Sequence, residues 1–469
     1  MKLLLIQPPN INTVFCECPE RFQGEVGFYP PLGLMYIAAY LQKFSNHQIE
    51  ILDAFVEKLS YLQIKEYIKN HNPDVVGISA TTFSLVDAYK TAQQIKQTKP
   101  DTLVILGGPH LSLYPEETLK LAAVDMVVIG EGELTMKELL DALTSGEALD
   151  QVAGIGYKAA GRLRFTKSRE FIQDLDQLPP PARELTAYDK YYSLFSKDKI
   201  STYILTSRGC PYNCAFCFHH GGRRFRARSA ANVVEEIEAA GQLGIKEFFI
   251  FDETFSVNQQ RAQQICELII KRKLEISFDI RTRVDTISEQ LLRSLKQAGC
   301  RRVQYGVESG SQKILDVMQK GTTLDQVRQA FSLTKKIGIT TYADFMLGFP
   351  EETKEDMRKT VSFAIELNPD FVQFSMTTLY PGTEIYQLAI DRGIVKNDFW
   401  RAFAEHPDKK VEPPLWTEHY SSDELMHILE TAYSRFYLRP GYILKRLSKI
   451  RTPNEFLRHL RMGRKVIFK

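Results

Sequence analysis

Tyr203-Ile-Leu-Thr206-Ser-Arg-Gly-Cys210-Pro-Tyr-Asn-Cys214-Ala-Phe-Cys217-Phe218 decides how this chain is read. The apolar run that opens it reads as a buried strand, so the three cysteines lie on the loop that leaves that strand. Their spacing is C-x3-C-x2-C. Thiolates grouped in this way are ligands for an iron–sulfur cluster. A four-iron cubane held by three cysteines keeps one iron open to a non-protein ligand. Zinc would close its tetrahedron with a fourth protein ligand, and His219 or His220 could offer one.

From Thr202 to about Thr378, strand and helix alternate. Strands are expected at 202–206, 247–251, 277–280, 302–306, 341–346 and 371–375. Six βα units predict an open, partial (β/α)6 barrel of the TIM type, with its chemistry at the C-terminal ends of the strands. Those ends carry Asp252 and Glu253, Arg281 and Arg283, Glu308 and Ser309, Gly348, and Gly382. Asp252 could equally cap the following helix, and the arginines could form rim salt bridges or hold an anion. Cys266 and Cys300 read as core residues.

Upstream, residues 2–6, 48–52, 75–79, 103–106 and 126–129 read as strands. Helical patterns fall near 31–41, 62–70, 84–98, 116–122 and 134–145. This rhythm predicts a doubly wound, Rossmann-like parallel sheet that binds ligands at its carboxyl ends. Ser79-Ala-Thr81-Thr82, Gly107-Gly108-Pro-His110 and Gly130-Glu131-Gly132 stand there. Glycine lets backbone approach a bulky ligand, and hydroxyls supply hydrogen bonds, although the same residues also make ordinary turns. The expected division is a first domain over 1–149, a connector with a hairpin and a Pro-rich linker over 150–200, a barrel over 201–390, and a small helical, basic C-terminal region over 391–469.

C-x3-C-x-aromatic-C, with Phe216 at the aromatic position, resembles the signature of the radical S-adenosylmethionine (SAM) superfamily. The resemblance implies that Cys210, Cys214 and Cys217 hold a [4Fe–4S] cluster whose open iron binds the amino and carboxylate groups of SAM. An electron from the cluster then cleaves SAM to methionine and a 5′-deoxyadenosyl radical. Phe216, Asp252, Glu253, Arg283, Glu308, Ser309 and Gly348 fall at positions that the family uses around SAM. The glycine loops before the barrel resemble the cobalamin-binding domain of cobalamin-dependent radical SAM enzymes. Ser79, Thr81, Thr82, Gly107, Gly108, Gly130, Glu131 and Gly132 are then the expected cobalamin contacts. The Asp-x-His-x-x-Gly motif that ligates cobalt elsewhere is missing. His110 is left as a substitute ligand or, on the plainer reading, a turn cap.

Methyl transfer from methylcobalamin to an unactivated carbon is the commonest chemistry this resemblance implies. The alternatives are radical cyclisation, as in the anaerobic magnesium-protoporphyrin monomethyl ester cyclase, and a sensor without turnover. Methylthiolation usually needs three more N-terminal cysteines, and only Cys16 and Cys18 are there; they read as free thiols. No catalytic side chain beyond the cofactor ligands is identifiable. The resemblance also implies a small-molecule substrate and an external electron donor such as flavodoxin or ferredoxin.

Composition narrows the rest. The chain has 469 residues, 25% of them charged, with a net charge of +3, which argues against a nucleic-acid partner. Seven cysteines, three of them clustered, point to a reducing compartment, and no run suggests a signal peptide or membrane span, so a cytoplasmic protein is expected. The basic stretch from Tyr442 to Lys469 is expected to pack on the protein with weak peripheral membrane contact.

Overall fold

The computed structural model describes residues 1–14, 27–193, 196 and 200–447. The readings of Cys16 and Cys18, and of the basic stretch from 448 onward, lie outside those residues. Two large sheets follow one another along the chain.

The first holds β1 (Lys2–Gln7), β2 (Gln48–Asp53), β3 (Val75–Ser79), β4 (Leu103–Gly107), β5 (Met126–Val128), β6 (Ile155–Ala159) and β7 (Arg162–Phe165), in the order β2-β1-β3-β4-β5-β6-β7. The pairs among β1 to β5 are parallel, and the hairpin β6–β7 adds an antiparallel edge. Its helices are α1 (Leu32–Phe44), α2 (Tyr61–His71), α3 (Leu85–Thr98), α4 (Pro115–Lys120) and α5 (Gly132–Ser145). One face packs Leu3, Leu5 and Ile105 against α1 and α5. The other packs Leu4, Val76 and Leu106 against α2 and α3. Burial on both faces explains why these strands read as unbroken apolar runs. The order reverses between β1 and β3, so a ligand crevice opens at their carboxyl ends.

The second sheet holds β8 (Ser201–Ile204). Next in the chain, β9 (Ser207–Arg208) and β10 (Arg226–Ala227) form a short antiparallel pair that brackets the cysteine loop. The sheet continues with β11 (Glu247–Ile250), β12 (Ser277–Thr282), β13 (Cys300–Glu308), β14 (Thr340–Leu347) and β15 (Phe371–Met376). All its pairs are parallel, in the order β15-β14-β13-β12-β11-β8, and the two end strands do not meet, so the barrel is open. Helices α6 (Ala230–Gln242), α7 (Gln259–Lys271), α8 (Glu289–Gln297), α9 (Gln312–Val317), α10 (Leu324–Ile337) and α11 (Lys354–Leu367) follow its strands. The outward side chains Phe248, Ile280, Val303 and Phe345 make one core with α6, α7, α8, α10 and α11, and Cys266 and Cys300 are buried in it.

The C-terminal region adds α12 (Glu384–Asp391), α13 (Phe399–Glu405), α14 (Ser422–Tyr437) and α15 (Pro440–Leu447). In α15, Tyr442 is buried and its hydroxyl donates to Asp370 O at 2.8 Å, so this part of the basic stretch packs on the barrel. One core of the first sheet runs on through Ala215, Ile314, Met318, Phe349, Leu379 and Trp400. The barrel mouth and the first sheet therefore share an apolar interface.

Candidate active site at the barrel mouth

Asp252, just past β11, sets the base of the cysteine loop. It is buried and accepts from Thr206 N (2.6 Å), Thr206 Oγ1 (2.5 Å), Ser207 N (3.2 Å) and Ser207 Oγ (2.6 Å). Asp252 thus points into the protein and positions the loop. The helix that follows is capped by Asn258 instead. Gly209 sits at φ +86°, where a Cβ would strike the carbonyl of Arg224, so the turn into Cys210 requires glycine. The loop is fastened across the mouth by Ala215 N to Met318 O (3.0 Å) and Ile385 N to Ala215 O (3.2 Å).

Cys210 and Cys214 are half-buried and Cys217 is exposed. Cys217 nevertheless sits in a recess. Desolvation there, then the neighbouring thiols Cys214 and Cys210, push its pKa up to about 11. As a free thiol it keeps its proton, and metal binding would release it. Among the described residues no three His, Cys, Asp or Glu side chains converge on a single-ion site. His219 is engaged at Tyr212 O, 2.6 Å away. A tetrahedral zinc needs such convergence, whereas the sulfurs around a cubane bind separate irons. The donor set fits the cluster.

Beside the thiols, Arg283 lies 3.8 Å over the Tyr212 ring, and its Nη1 is 3.8 Å from Cys214 Sγ. The same guanidinium makes two 2.9 Å bonds to Asp285 and donates to Lys320 O at 2.7 Å. It is a rim salt bridge and a neighbour of the cluster loop together. Lys320 was not singled out in the sequence, because Gln319-Lys320-Gly321 reads as a surface turn. It is buried, 2.8 Å from Glu308 Oε1 and 5.7 Å from the Phe216 ring. Glu308 holds φ +73° at the slip in register between β13 and β14, and a Cβ on Gly306 would strike its carboxylate. That backbone strain folds Glu308 back onto Lys320.

Glu253 is exposed at the mouth, and Gly209 N donates to its Oε1 at 3.4 Å. Desolvation by its surroundings raises its pKa despite that exposure, because it too stands in a recess. Ser309 is buried and turned away, with its Oγ 3.2 Å from Thr360 Oγ1. Gly348 sits at φ +76°, and Leu425 of α14 fills the space beside it. The residues that the sequence groups around SAM therefore divide. Glu308 and Arg283 gather with Lys320 near the cysteines, Glu253 stands beside Gly209 at the root of their loop, and Asp252, Ser309 and Gly348 support them from behind.

On the first sheet, Ser79, Thr81, Gly107 and Gly130 stand accessible at the strand ends, and a Cβ on Gly130 would meet nothing. This open backbone fits a large flat cofactor. Gly108, at φ +112°, packs on Ala80 O, and Gly132 faces Ile37. Thr82 is buried and bonded to His110 Nδ1 at 3.0 Å. His110 itself is fully buried, its Nε2 has no partner, and burial lowers its pKa to about 3. The ring is a neutral core residue of its loop.

Glu131 is occupied elsewhere. It accepts from Arg208 Nη1 (2.9 Å), Arg226 Nη1 (2.9 and 3.0 Å) and Ile172 N (2.7 Å), while Glu133 takes Arg208 Nη2 at 2.6 Å. Arg208 precedes Gly209-Cys210 directly. These ion pairs bind the loop after β5 and the start of α5 to the root of the cysteine loop.

A crevice-bearing parallel sheet set over an open barrel with a three-cysteine loop defines a radical SAM enzyme with a cobalamin-binding domain. Comparison agrees. Residues 204–364 match the radical SAM superfamily model, and residues 26–140 match the B12 binding domain. The chain is 37% identical over 450 residues to an uncharacterised methyltransferase of Pyrococcus horikoshii, across 95% of this chain and 94% of that protein. It is 31% identical over 466 residues to the anaerobic magnesium-protoporphyrin IX monomethyl ester cyclase of Rubrivivax gelatinosus, across 97% and 81%. Its fold is similar to that of OxsB solved with aqua-cobalamin and SAM (TM-score 0.75, 20% identity, 99% of this chain and 71% of that one). It is also similar to TsrM from Kitasatospora setae with cobalamin and a [4Fe–4S] cluster (TM-score 0.70, 20% identity, 83% and 78%). The chain belongs to the cobalamin-dependent radical SAM enzymes, and its cofactors are a [4Fe–4S] cluster, SAM and cobalamin.

Proposed function

We propose that this enzyme transfers a methyl group to an unactivated carbon of a small-molecule substrate. When bound, the cluster supplies the electron that cleaves SAM, and cobalamin supplies the methyl carrier. Cys210, Cys214 and Cys217 hold the cluster and leave one iron to SAM. Glu253 offers an accessible carboxylate to the SAM ammonium, and the Glu308–Lys320 pair with Arg283 fixes polar groups on the Cys214 side of the mouth. Asp252 sets the loop, and Ser309 and Gly348 shape the wall behind. Ser79, Thr81, Gly107 and Gly130 present the cobalamin cradle, with Thr82, Gly108 and Gly132 forming its turns.

The observation that carries this reading is the tie of Arg208 to Glu131 and Glu133, which brings the sheet ends to the cluster loop. The Pyrococcus horikoshii methyltransferase, matched almost end to end, supports methylation. The cyclase, matched over 97% of this chain, supports ring formation as the second reading. The reaction needs an external one-electron donor of the flavodoxin or ferredoxin kind, which with the free thiols suits the cytoplasm. Among the described residues no helix is long and apolar enough to cross a membrane.

The test is anaerobic turnover of the reduced protein with methyl-deuterated SAM and a cell extract. Methyl transfer yields 5′-deoxyadenosine and a product carrying the labelled methyl group. A product that gains no carbon favours cyclisation. Absence of 5′-deoxyadenosine leaves a sensor without turnover.

A further inference from the structure

In the second sheet the outward side chains are buried, whereas the inward positions Tyr203, Phe249, Arg281, Gln304, Asp344 and Gln373 all stay accessible. A closed barrel fills its interior with packed side chains. These half-buried positions leave this lumen less tightly filled than a closed barrel. Its walls differ in character. On the β8–β11 side Tyr203 stacks on Phe251 at 4.8 Å, and Phe251 is 40% exposed. Across the lumen Gln304 Nε2 donates to Asp344 at 2.8 Å.

Three arginines rise along this interior with different partners. Arg302, lowest, bonds Asp279 at 2.7 Å. Arg283, highest, is held by Asp285 beside the cysteines. Arg281, between them, makes no hydrogen bond or ion pair among the described residues. Its guanidinium lies 5.2 Å over the Phe251 ring, and its Nε is buried without a partner. A guanidinium offers five donors in a planar fork that matches a carboxylate; the buried Nε–H left unmet costs free energy, and the acid that feels the charge of Arg281 is Asp344, which does not bond it. Arg281 stands one strand repeat, roughly 6.6 Å along the backbone, below Arg283.

We infer that the lumen holds the substrate by a carboxylate on Arg281, beside the half-exposed edge of Phe251. This rests on the reading of the chain as an enzyme acting on a small molecule, and it names the class: a carboxylate-bearing anion. Phenylglyoxal labelling of the reconstituted holoenzyme, mapped by mass spectrometry, tests it. Arg281 is expected to react faster than the ion-paired Arg283 and Arg302. Indole-3-acetate should protect Arg281 at concentrations at least about tenfold lower than its neutral amide, the ratio a charge-assisted pair supplies. By equilibrium dialysis, Arg281→Gln should bind acid and amide alike. Labelling of Arg281 no faster than the paired arginines overturns the inference, as does equal protection by acid and amide. Neither readout requires SAM cleavage, so the methyl-transfer reading stands or falls separately.

Discussion

The two sheets are built from the same βα unit and expose opposite parts of it. In the first, strands such as Leu3–Ile6 and Val75–Ile78 are buried along their length, and only the loops at their carboxyl ends face a ligand. In the second, β13 and β14 alternate between buried and accessible positions, because helices cover the outer face alone. A sheet covered on both sides can offer backbone, small hydroxyls and glycines at its rim, which suits a large preformed cofactor. A sheet open on one side carries side-chain chemistry down its whole length, which suits a small substrate held below the rim. The difference teaches where each half keeps its specificity.

Removing the cluster breaks the comparison most completely. Cys214→Ala should lose the iron and the brown absorbance of the reconstituted protein and abolish 5′-deoxyadenosine formation, while cobalamin still binds the first sheet. Cys266→Ala should keep the cluster, because Cys266 is buried in the helix core. Retention of full iron content in Cys214→Ala would refute the ligand assignment.

Arg208 joins the halves, so its loss should be felt in both. Arg208→Gln leaves the buried Glu133 without its partner, and breaking a buried pair costs about 3–5 kcal/mol. A lower unfolding midpoint and reduced cluster occupancy are expected. Adding Glu133→Gln should return part of the loss, since the pair is coupled. Strictly additive losses would show that Arg208 and Glu133 are not coupled.

The same contrast explains what was legible in the sequence. Strand and helix positions of both sheets could be read, since apolar runs and βα spacing are local. The cysteines could be read because the ligands sit within one loop. Lys320 could not, because its burial depends on a loop that folds back over the mouth from β13. Glu131 looked like part of the cobalamin cradle, since nothing local shows that Arg208 and Arg226 would claim both its oxygens. Asp252 and Glu253 are adjacent and chemically alike, and only the strand's end decides that one points in and the other out.

Glu352 sharpens the comparison on the barrel side, where a polar group is fully enclosed. Its Oε2 accepts from Gly348 N and Phe349 N at 2.7 and 3.0 Å, and its Oε1 is buried without a partner. Burial raises its pKa from 4.5 to about 8, so folding favours the protonated acid. Stability from this group is complete below the unfolded value and declines as pH rises through the folded one. Glu352→Gln keeps the acceptor and cannot ionise. Between pH 6 and 9 its unfolding midpoint should gain on the wild type by the equivalent of about 1–3 kcal/mol, the cost of a poorly satisfied buried group. Parallel pH profiles would show that Glu352 is ionised throughout.

The smallest effect concerns how each sheet ends. The first finishes with the hairpin β6–β7, so its last parallel strand has a backbone partner. The second finishes at β15, and the outward backbone groups of that strand are met by two phenols of α14. Tyr433 Oη accepts from Phe374 N at 3.2 Å and donates to Phe374 O at 2.9 Å. Tyr437 Oη does the same for Val372, at 2.9 and 2.7 Å. The match is geometric: four residues of helix rise about 6 Å, close to the roughly 6.6 Å of two strand residues. Each phenol acts as donor and acceptor at once, which a hydroxyl can do. Tyr433→Phe should cost about 1 kcal/mol and speed amide exchange at Phe374 while leaving Val372 protected. Tyr437→Phe should reverse that pattern, releasing Val372 and sparing Phe374. Exchange that quickens equally at both amides in either variant would mean that α14 guards the edge by coverage alone, and that the phenols add no bonds of their own.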